Sequence, residues 1–335
     1  MSVPRVTVVI PTFNRARFLP ETIQSVLDQT YTDFEILISD DASTDNTTQV
    51  VLGFQDPRIH YHRHSKNIGI TPNWQFVVSQ ARTELIAMLA DDDIYLPEHL
   101  STAIQALDDY PKAVYYTCEA KYFGKGIAEG SGYRPQGITD TETSLIYVSP
   151  RQAVRFLGSD NPGPINGMIC RARVLQDPKL YWGKQDYIPQ DLLVMTQLMV
   201  QGGFIFGNRS TTKFRIHGAN TSLVNGIARL RYNCMVWYGV RWLVQFLLDR
   251  NICTLVDIET HGFTATSLEQ HVVPLVLGLA SYDSSPEQQV VAYRIFQQRR
   301  DADKVSTRFR LARLFGFWTL PLAEKISQFR VGWQP

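Results

Sequence analysis

The sequence predicts an α/β protein with a mostly parallel central sheet flanked by helices and a helical C-terminal extension. Three observations carry this. Apolar, β-branched runs alternate with helix-period segments over the first 120 residues. Aspartates follow directly on two of those runs, and beyond about residue 223 only helical patterns remain.

Residues 6–10 are a near-continuous β-branched run ending at Pro11, suited to a strand buried on both faces. Leu19, Ile23, Val26 and Leu27 recur at helical spacing over residues 19–29. Residues 34–39 form a second strand, and residues 44–54 a second helix with Ser43, Thr44 and Asp45 as capping candidates. Residues 58–62 are a short third strand. Thr71 and Pro72 fit an N-cap followed by proline at the first helical position, opening a helix to Gln80. Residues 85–89 are a fourth strand that runs straight into Asp91, Asp92 and Asp93. This βαβαβ order is what a parallel sheet requires. After Pro97 come a helix to Leu107 and a strand over 113–118. Residues 119–149, rich in Gly, Thr and Ser, read as a long loop of the kind used as a lid. Helices follow at 150–157 and 190–201, and strands at 204–206 and 211–216.

The chain has 335 residues, 44% of them hydrophobic and 19% charged, an ordinary globular balance that excludes a disordered or low-complexity protein. Thirty-three Lys and Arg against 32 Asp and Glu leave a net charge of +1, so no nucleic-acid partner is expected. Cys118, Cys170, Cys234 and Cys253 form no C-x-x-C pair, so neither a zinc ribbon nor a thioredoxin-type site is indicated. There is neither an apolar leader segment nor a run of about 20 apolar residues. The expected location is cytoplasmic.

In an open α/β sheet, ligands bind beyond the carboxyl ends of the strands. Asp91, Asp92 and Asp93 sit at such an end. Three consecutive carboxylates repel one another, and a hard divalent cation such as Mn²⁺ or Mg²⁺ relieves this while sharing a ligand's phosphates. The alternative is a solvated turn capping the next helix. Asp40 and Asp41 end the second strand in the same way. A carboxylate there can accept the N3–H of uracil or thymine, or simply cap the helix that follows. Neither G-x-G-x-x-G nor G-x-x-x-x-G-K-[ST] is present, which argues against a dinucleotide oxidoreductase and a P-loop NTPase.

The run Val8-Val9-Ile10-Pro11-Thr12-Phe13-Asn14-Arg15 and the segments 25–31 and 34–45 resemble glycosyltransferase family 2. Asn67-Ile68-Gly69 and residues 89–97 extend the resemblance, which covers roughly residues 3–220. The resemblance implies a GT-A fold, Rossmann-like, over residues 1–220, with a nucleotide-binding half at 1–95 and an acceptor half at 96–220. Residues 221–335 form the helical region. It implies an inverting, metal-dependent transfer of a sugar from a UDP- or dTDP-sugar to a hydroxyl of a glycan or lipid-linked acceptor, in polysaccharide or glycoconjugate biosynthesis. The implied donor-binding set is Pro11, Thr12, Asn14, Arg15, Asp41, Asn67 and Asp91. Asp92, Asp93 and His217 are the implied ligands of Mn²⁺ or Mg²⁺, and Asp191 the implied catalytic base. The first aspartate of the common L-D-x-D-D form is Ala90 here, so Asp91 is the candidate for the usual ribose contact. The Q-x-x-R-W motif of processive synthases is missing, which favours single addition.

Each assignment has a plainer reading beside it. An acid at a helix start, as at Asp191, is favoured by the macrodipole without any catalysis, and His217 could be a loop hydrogen-bonder. Arg15, Arg63 and Lys66 could meet phosphates or solvent. Tyr181 and Trp182 could stack on an acceptor sugar or pack in the core. Residues 299–313 carry six basic side chains against two acidic, and Phe315, Phe317 and Trp318 follow. The stretch 299–333 is thus a candidate for peripheral contact with the inner membrane face, or for a homo-oligomer contact. Two other functions stay open on the residues: a non-catalytic nucleotide-sugar-binding module of the same fold, and a sugar-phosphate nucleotidylyltransferase.

Overall fold

The computed structural model describes residues 3–135, 138, 142–150, 152, 163–180, 182, 190–217, 248, 249, 251 and 254, with the backbone alone at 190–193 and 196. The chain divides into two compact units, one of Met1–Ala153 with Asn161–Leu223, the other of Val154–Asp160 with Val224–Pro335. The expected helical region 221–335, with its basic stretch 299–333, lies outside the described residues apart from four positions. So does most of the expected helix at 150–157.

The first unit begins β1 (Val6–Thr12), α1 (Leu19–Leu27), β2 (Phe34–Asp40), α2 (Thr47–Leu52), β3 (Ile59–Arg63), α3 (Ile70–Gln80) and β4 (Leu85–Met88). It continues with β5 (Ile94–Tyr95), α4 (His99–Asp109), β6 (Tyr115–Phe123), β7 (Gly132–Tyr133) and β8 (Leu145–Val148). It ends with β9 (Ile169–Arg171), α5 (Ala172–Leu175), α6 (Gln190–Gly202) and β10 (Phe204–Arg215). The strands form a sheet in the order β3-β2-β1-β4-β9-β6-β10-β5, with β7 on β6 and β8 on β10.

The first half of the sheet is parallel as its βαβαβ pattern predicts: β1 pairs with both β2 and β4, and β2 with β3, all in parallel. All seven residues of β1 are buried, because helices cover both faces of this sheet. On α1, Leu19, Ile23 and Val26 turn inward, and Pro20 stands in its first turn, where no amide is needed. The other half is mixed. β9 runs antiparallel to β4 on one side and to β6 on the other, joining the halves, whereas β6 and β10 are parallel.

Four local expectations change. The stretch 119–149 is not one loop: β6 continues to Phe123, and β7 and β8 add short antiparallel strands. The two strands expected at 204–206 and 211–216 are a single strand, β10, with a bulge between Gly207 and Thr212. α2 starts at Thr47 because the amides of Thr44 and Asp45 point at the side-chain oxygen of Asn14 (2.8 and 3.4 Å). α3 is capped by Gly69 rather than Thr71, since Gly69 adopts φ 93°, a conformation glycine takes without strain.

Candidate functional site

The carboxyl ends of β1, β2 and β4 point the same way and gather the predicted residues at one edge of the sheet. Pro11 and Thr12 sit opposite Ser39 and Asp40 in the β1–β2 register. The chain then turns through Asn14, at φ 55°. The Asn14 amide donates to Ser43 Oγ at 2.8 Å, which ties the loop after β1 to the loop after β2. Asp41 ties in a third loop. Its Oδ1 accepts from the Ile68 amide at 2.6 Å and its Oδ2 from the Gly69 amide at 2.9 Å. Asp41 is 2% exposed, and Asn67, beside those amides, is exposed. Asp40 is fully buried and serves the framework, accepting from Tyr61 Oη at 2.5 Å and from the Ser43 amide at 2.8 Å. Burial, reinforced by that bond, pushes the Tyr61 phenol up to about 12.

Each aspartate of the acidic turn faces a different neighbour. Asp91 faces the loop after β1: its Oδ2 lies 3.4 Å from the Phe13 amide and its Oδ1 3.8 Å from Arg15 Nε. Burial first, then the charge of Asp92, raises the Asp91 carboxyl to about 7. Asp92 Oδ2 lies 2.9 Å from His217 Nε2, a pair 125 residues apart in sequence. Asp93 is turned inward and 1% exposed. Its Oδ1 accepts the Arg215 amide at 2.8 Å and its main-chain oxygen accepts the Thr22 hydroxyl at 2.9 Å. Its Oδ2 is buried without a hydrogen-bond partner among the described residues, and burial with the Asp92 charge holds this carboxyl well above the usual range.

A carboxylate oxygen and an imidazole nitrogen suit Mn²⁺, and the carboxylate suits Mg²⁺. Neighbouring ligands on an octahedral ion with bonds of about 2.0–2.1 Å stand about 2.9 Å apart, the spacing of the Asp92–His217 pair. Among the described residues no group of three or more His, Cys, Asp or Glu converges as a ligand set. The pair therefore fits an ion that keeps most of its positions for water and phosphate oxygens, as Mg²⁺ usually does.

Asp191 is the second residue of α6; its side chain lies outside the described residues. Trp182 is 6% exposed and lines a cavity of about 590 Å³ with Gln75, Arg82, Leu175 and Asp177. Arg82 and Thr83 precede β4, so this cavity lies at the opposite end of β4 from the acidic turn. Tyr181 lies outside the described residues.

Three residues around the turn were assigned no role from the sequence. Arg215 Nε donates to the Asp92 carbonyl at 2.8 Å, and its terminal nitrogen lies 2.5 Å from Glu21 Oε2. Phe18 stacks on the His217 ring with centroids 4.6 Å apart. Only the spacing Arg215-Ile216-His217, with the arginine two residues before the expected ligand, signalled any of this in the chain.

A parallel α/β half whose strand ends collect carboxylates, joined by an antiparallel strand to a mixed half that returns a histidine to them, is the GT-A type of glycosyltransferase fold. Residues 7–172 match the model of glycosyl transferase family 2, and the chain belongs to that family. A β-1,3-glucosyltransferase of Campylobacter jejuni, acting on GalNAc(5)-diNAcBac-PP-undecaprenol, is 34% identical over 139 residues. That match takes in 38% of this chain and 45% of the relative. The chain spans 17–45% of the length of that relative and of two others at 31% and 32% identity. Among solved structures, residues 1–349 of S. aureus TarS in complex with UDP-GlcNAc align at a TM-score of 0.66 and 16% identity, over 98% of this chain and 92% of that one. The mannosyltransferase PcManGT of Pyrobaculum calidifontis, in complex with GDP-Man and Mn²⁺, aligns at 0.50 and 16% identity, over 93% and 80%. At these identities the two structures speak for the fold. No helix among the described residues is long and apolar enough to cross a membrane.

Proposed function

We propose that this chain is a metal-dependent inverting glycosyltransferase that moves a hexosyl or hexosaminyl group from a UDP- or dTDP-sugar to a hydroxyl of a glycan or lipid-linked acceptor. The observation that carries the reading is the Asp92–His217 pair at 2.9 Å, set at the carboxyl end of β4 beside the loop after β1. The UDP-GlcNAc and lipid-linked acceptor in the names of similar proteins support the choice of donor and acceptor class.

In this reading the nucleoside lies against Pro11, Thr12 and Asn14. Asp41 holds the base: each of its oxygens takes one loop amide and keeps a second acceptor direction for the N3–H of uracil or thymine. Asp91, next to Ala90 where the common L-D-x-D-D form has its first aspartate, takes the ribose, with Arg15 beside it offsetting charge. Asp92 and His217 would hold Mn²⁺ or Mg²⁺, which when bound supplies neutralising charge for the leaving diphosphate. Asp93 stiffens the turn through its bond to the Arg215 amide. Asp191, at the start of α6 in the acceptor half, takes the proton from the acceptor hydroxyl as that oxygen attacks the anomeric carbon. A base on the face opposite the departing nucleotide demands inversion.

The test is a ligand-stabilisation panel of UDP, dTDP and GDP with and without Mn²⁺, followed by proton NMR of the product formed from the stabilising donor. Stabilisation by UDP or dTDP that needs the ion, with an α-linked donor giving a β-linked product, is the expected result. Equal stabilisation in EDTA overturns the metal reading, and a retained configuration overturns the role of Asp191.

A further inference from the structure

We propose that Arg215 is a positioning residue that holds the His217 ring against Asp92, an inference that rests on the metal-site reading above. β10 ends at Arg215, and the Ile216 amide still bonds to the Phe123 carbonyl at 2.8 Å. His217 lies just past that last link, so side chains complete its placement. Arg215 supplies the framework. Its amide is held by Asp93 Oδ1 at 2.8 Å and its Nε bonds to the Asp92 carbonyl at 2.8 Å, so one residue is fastened to two successive residues of the acidic turn. Its outer nitrogen reaches Glu21, in the first turn of α1, at 2.5 Å.

The guanidinium plane meets two aromatic rings, with its carbon 4.3 Å from the Phe123 centroid and 5.1 Å from that of Phe18. The Phe18 ring in turn stacks on His217, 4.6 Å between centroids and 26° between planes. Arg215 therefore fixes both sides of the Asp92–His217 contact, the turn through hydrogen bonds and the imidazole through Phe18. The side chain is 14% exposed, close to the 13% of Asp92 and 15% of His217, so the assembly is sheltered from water. Lysine cannot replace it. A single ammonium has no plane to lie along two rings and no fork to span the Asp92 carbonyl and Glu21 together.

The experiment uses the full chain with histidine ring labels, in EDTA, comparing wild type with Arg215→Lys and Glu21→Ala. His217 resonances are assigned by their loss in His217→Ala. Free Mn²⁺, measured by electron paramagnetic resonance, then gives the affinity of each protein. In the wild type the stacked Phe18 ring is expected to shift the His217 ring protons upfield. In Arg215→Lys these protons are expected to move downfield, with a smaller move in Glu21→Ala, and Mn²⁺ affinity to fall by about 10–100-fold in Arg215→Lys, as for lost outer-shell partners of metal ligands. Unmoved His217 signals in folded Arg215→Lys overturn the proposal. A displaced ring with wild-type Mn²⁺ affinity overturns it too, because a placement the ion does not sense is plain structural support. If Arg215→Lys fails to fold, Glu21→Ala decides by the same criteria, since Glu21 is a surface carboxylate, 59% exposed. Should the wild type bind no Mn²⁺, the metal reading fails by itself and the ring shifts decide the role of Arg215.

Discussion

Replacing Asp41 by asparagine tests framework and specificity at once. The carboxylate receives two amides, Ile68 at 2.6 Å and Gly69 at 2.9 Å, from a side chain 2% exposed. An asparagine offers one oxygen where two acceptors are required, so its NH₂ must face one of the two amides. One hydrogen bond to a charged group is lost, worth about 1.5–3 kcal/mol, and a buried donor is left facing a donor, a penalty of about 1–3 kcal/mol. Some relaxation of the loop at Gly69 offsets the sum, and a loss of about 2–4 kcal/mol is expected. Urea unfolding should show a lower midpoint at an unchanged slope. The same variant should lose its preference for UDP over CDP, because the N3 of uracil is a donor and that of cytosine an acceptor, which the new NH₂ can serve. Stability within 0.5 kcal/mol of wild type, well under one charged hydrogen bond, would refute the framework argument. A folded Asp41→Asn protein that still prefers UDP to CDP would remove Asp41 from base recognition.

Asp92→Asn and His217→Ala should each abolish or sharply weaken the Mn²⁺-dependent part of UDP stabilisation while the unfolding midpoint in EDTA stays close to wild type; full Mn²⁺ dependence in either variant would exclude that side chain as a ligand. Asp191→Asn should keep donor affinity and cut transfer by about 10²–10⁴-fold, the range for losing a general base, and near-normal turnover with the cognate acceptor would exclude it. Stability should fall with acid through His99, which is fully buried against Thr211 Oγ1 at 2.8 Å and held by burial to about 3. The unfolded imidazole takes a proton near 6.5 and the folded one does not, so stability present above about pH 6.5 is lost as pH falls toward 3, at up to about 1.4 kcal/mol per pH unit. Asp91 acts in the opposite sense, since its carboxyl is raised to about 7, so the difference between wild-type and His99→Asn urea profiles in EDTA isolates the histidine. A difference that is flat between pH 6.5 and 4 would contradict the assignment.

The first half of the sheet was legible because its signals are local. β1, β2 and β4 are short, largely apolar runs, and Asp40, Asp41 and Asp91–Asp93 lie at or just past the ends of two of them, so strand direction alone carries the carboxylates to one edge. The second half was less legible because its strands are made by partners distant in sequence. β9 is three residues long and becomes a strand by lying between β4 and β6. Residues 119–123 read with the Gly-, Thr- and Ser-rich stretch that follows them, yet residues 120–123 pair with residues 212–215 of β10. Similarly, nothing in the run Asp91-Asp92-Asp93 distinguishes the outward pair from the inward Asp93. The distinction comes from the Arg215 amide and the Thr22 hydroxyl, 122 and 71 residues away.

The bulge in β10 explains how His217 reaches the turn. Between Gly207 and Thr212 five residues of β10 pass while two of β6 do, so the far part of the strand is displaced along its partner. Gly207 is needed there, because a Cβ at that position would lie 2.3 Å from Tyr116 Oη, deep in the core. Beyond the bulge, Thr212 and Lys213 pair with Tyr95 and Ile94 of β5. β5 directly follows the acidic turn, so the turn is bounded by β4 on its entry side and tied to β10 on its exit side. That pairing aligns the Arg215 amide with Asp93 and sets His217 within reach of Asp92. A regular β10 would pass β6 residue for residue, and its end would fall out of step with β5 by the length of the bulge. The Asp92–His217 contact is thus a consequence of strand register, set by a bulge upstream in β10.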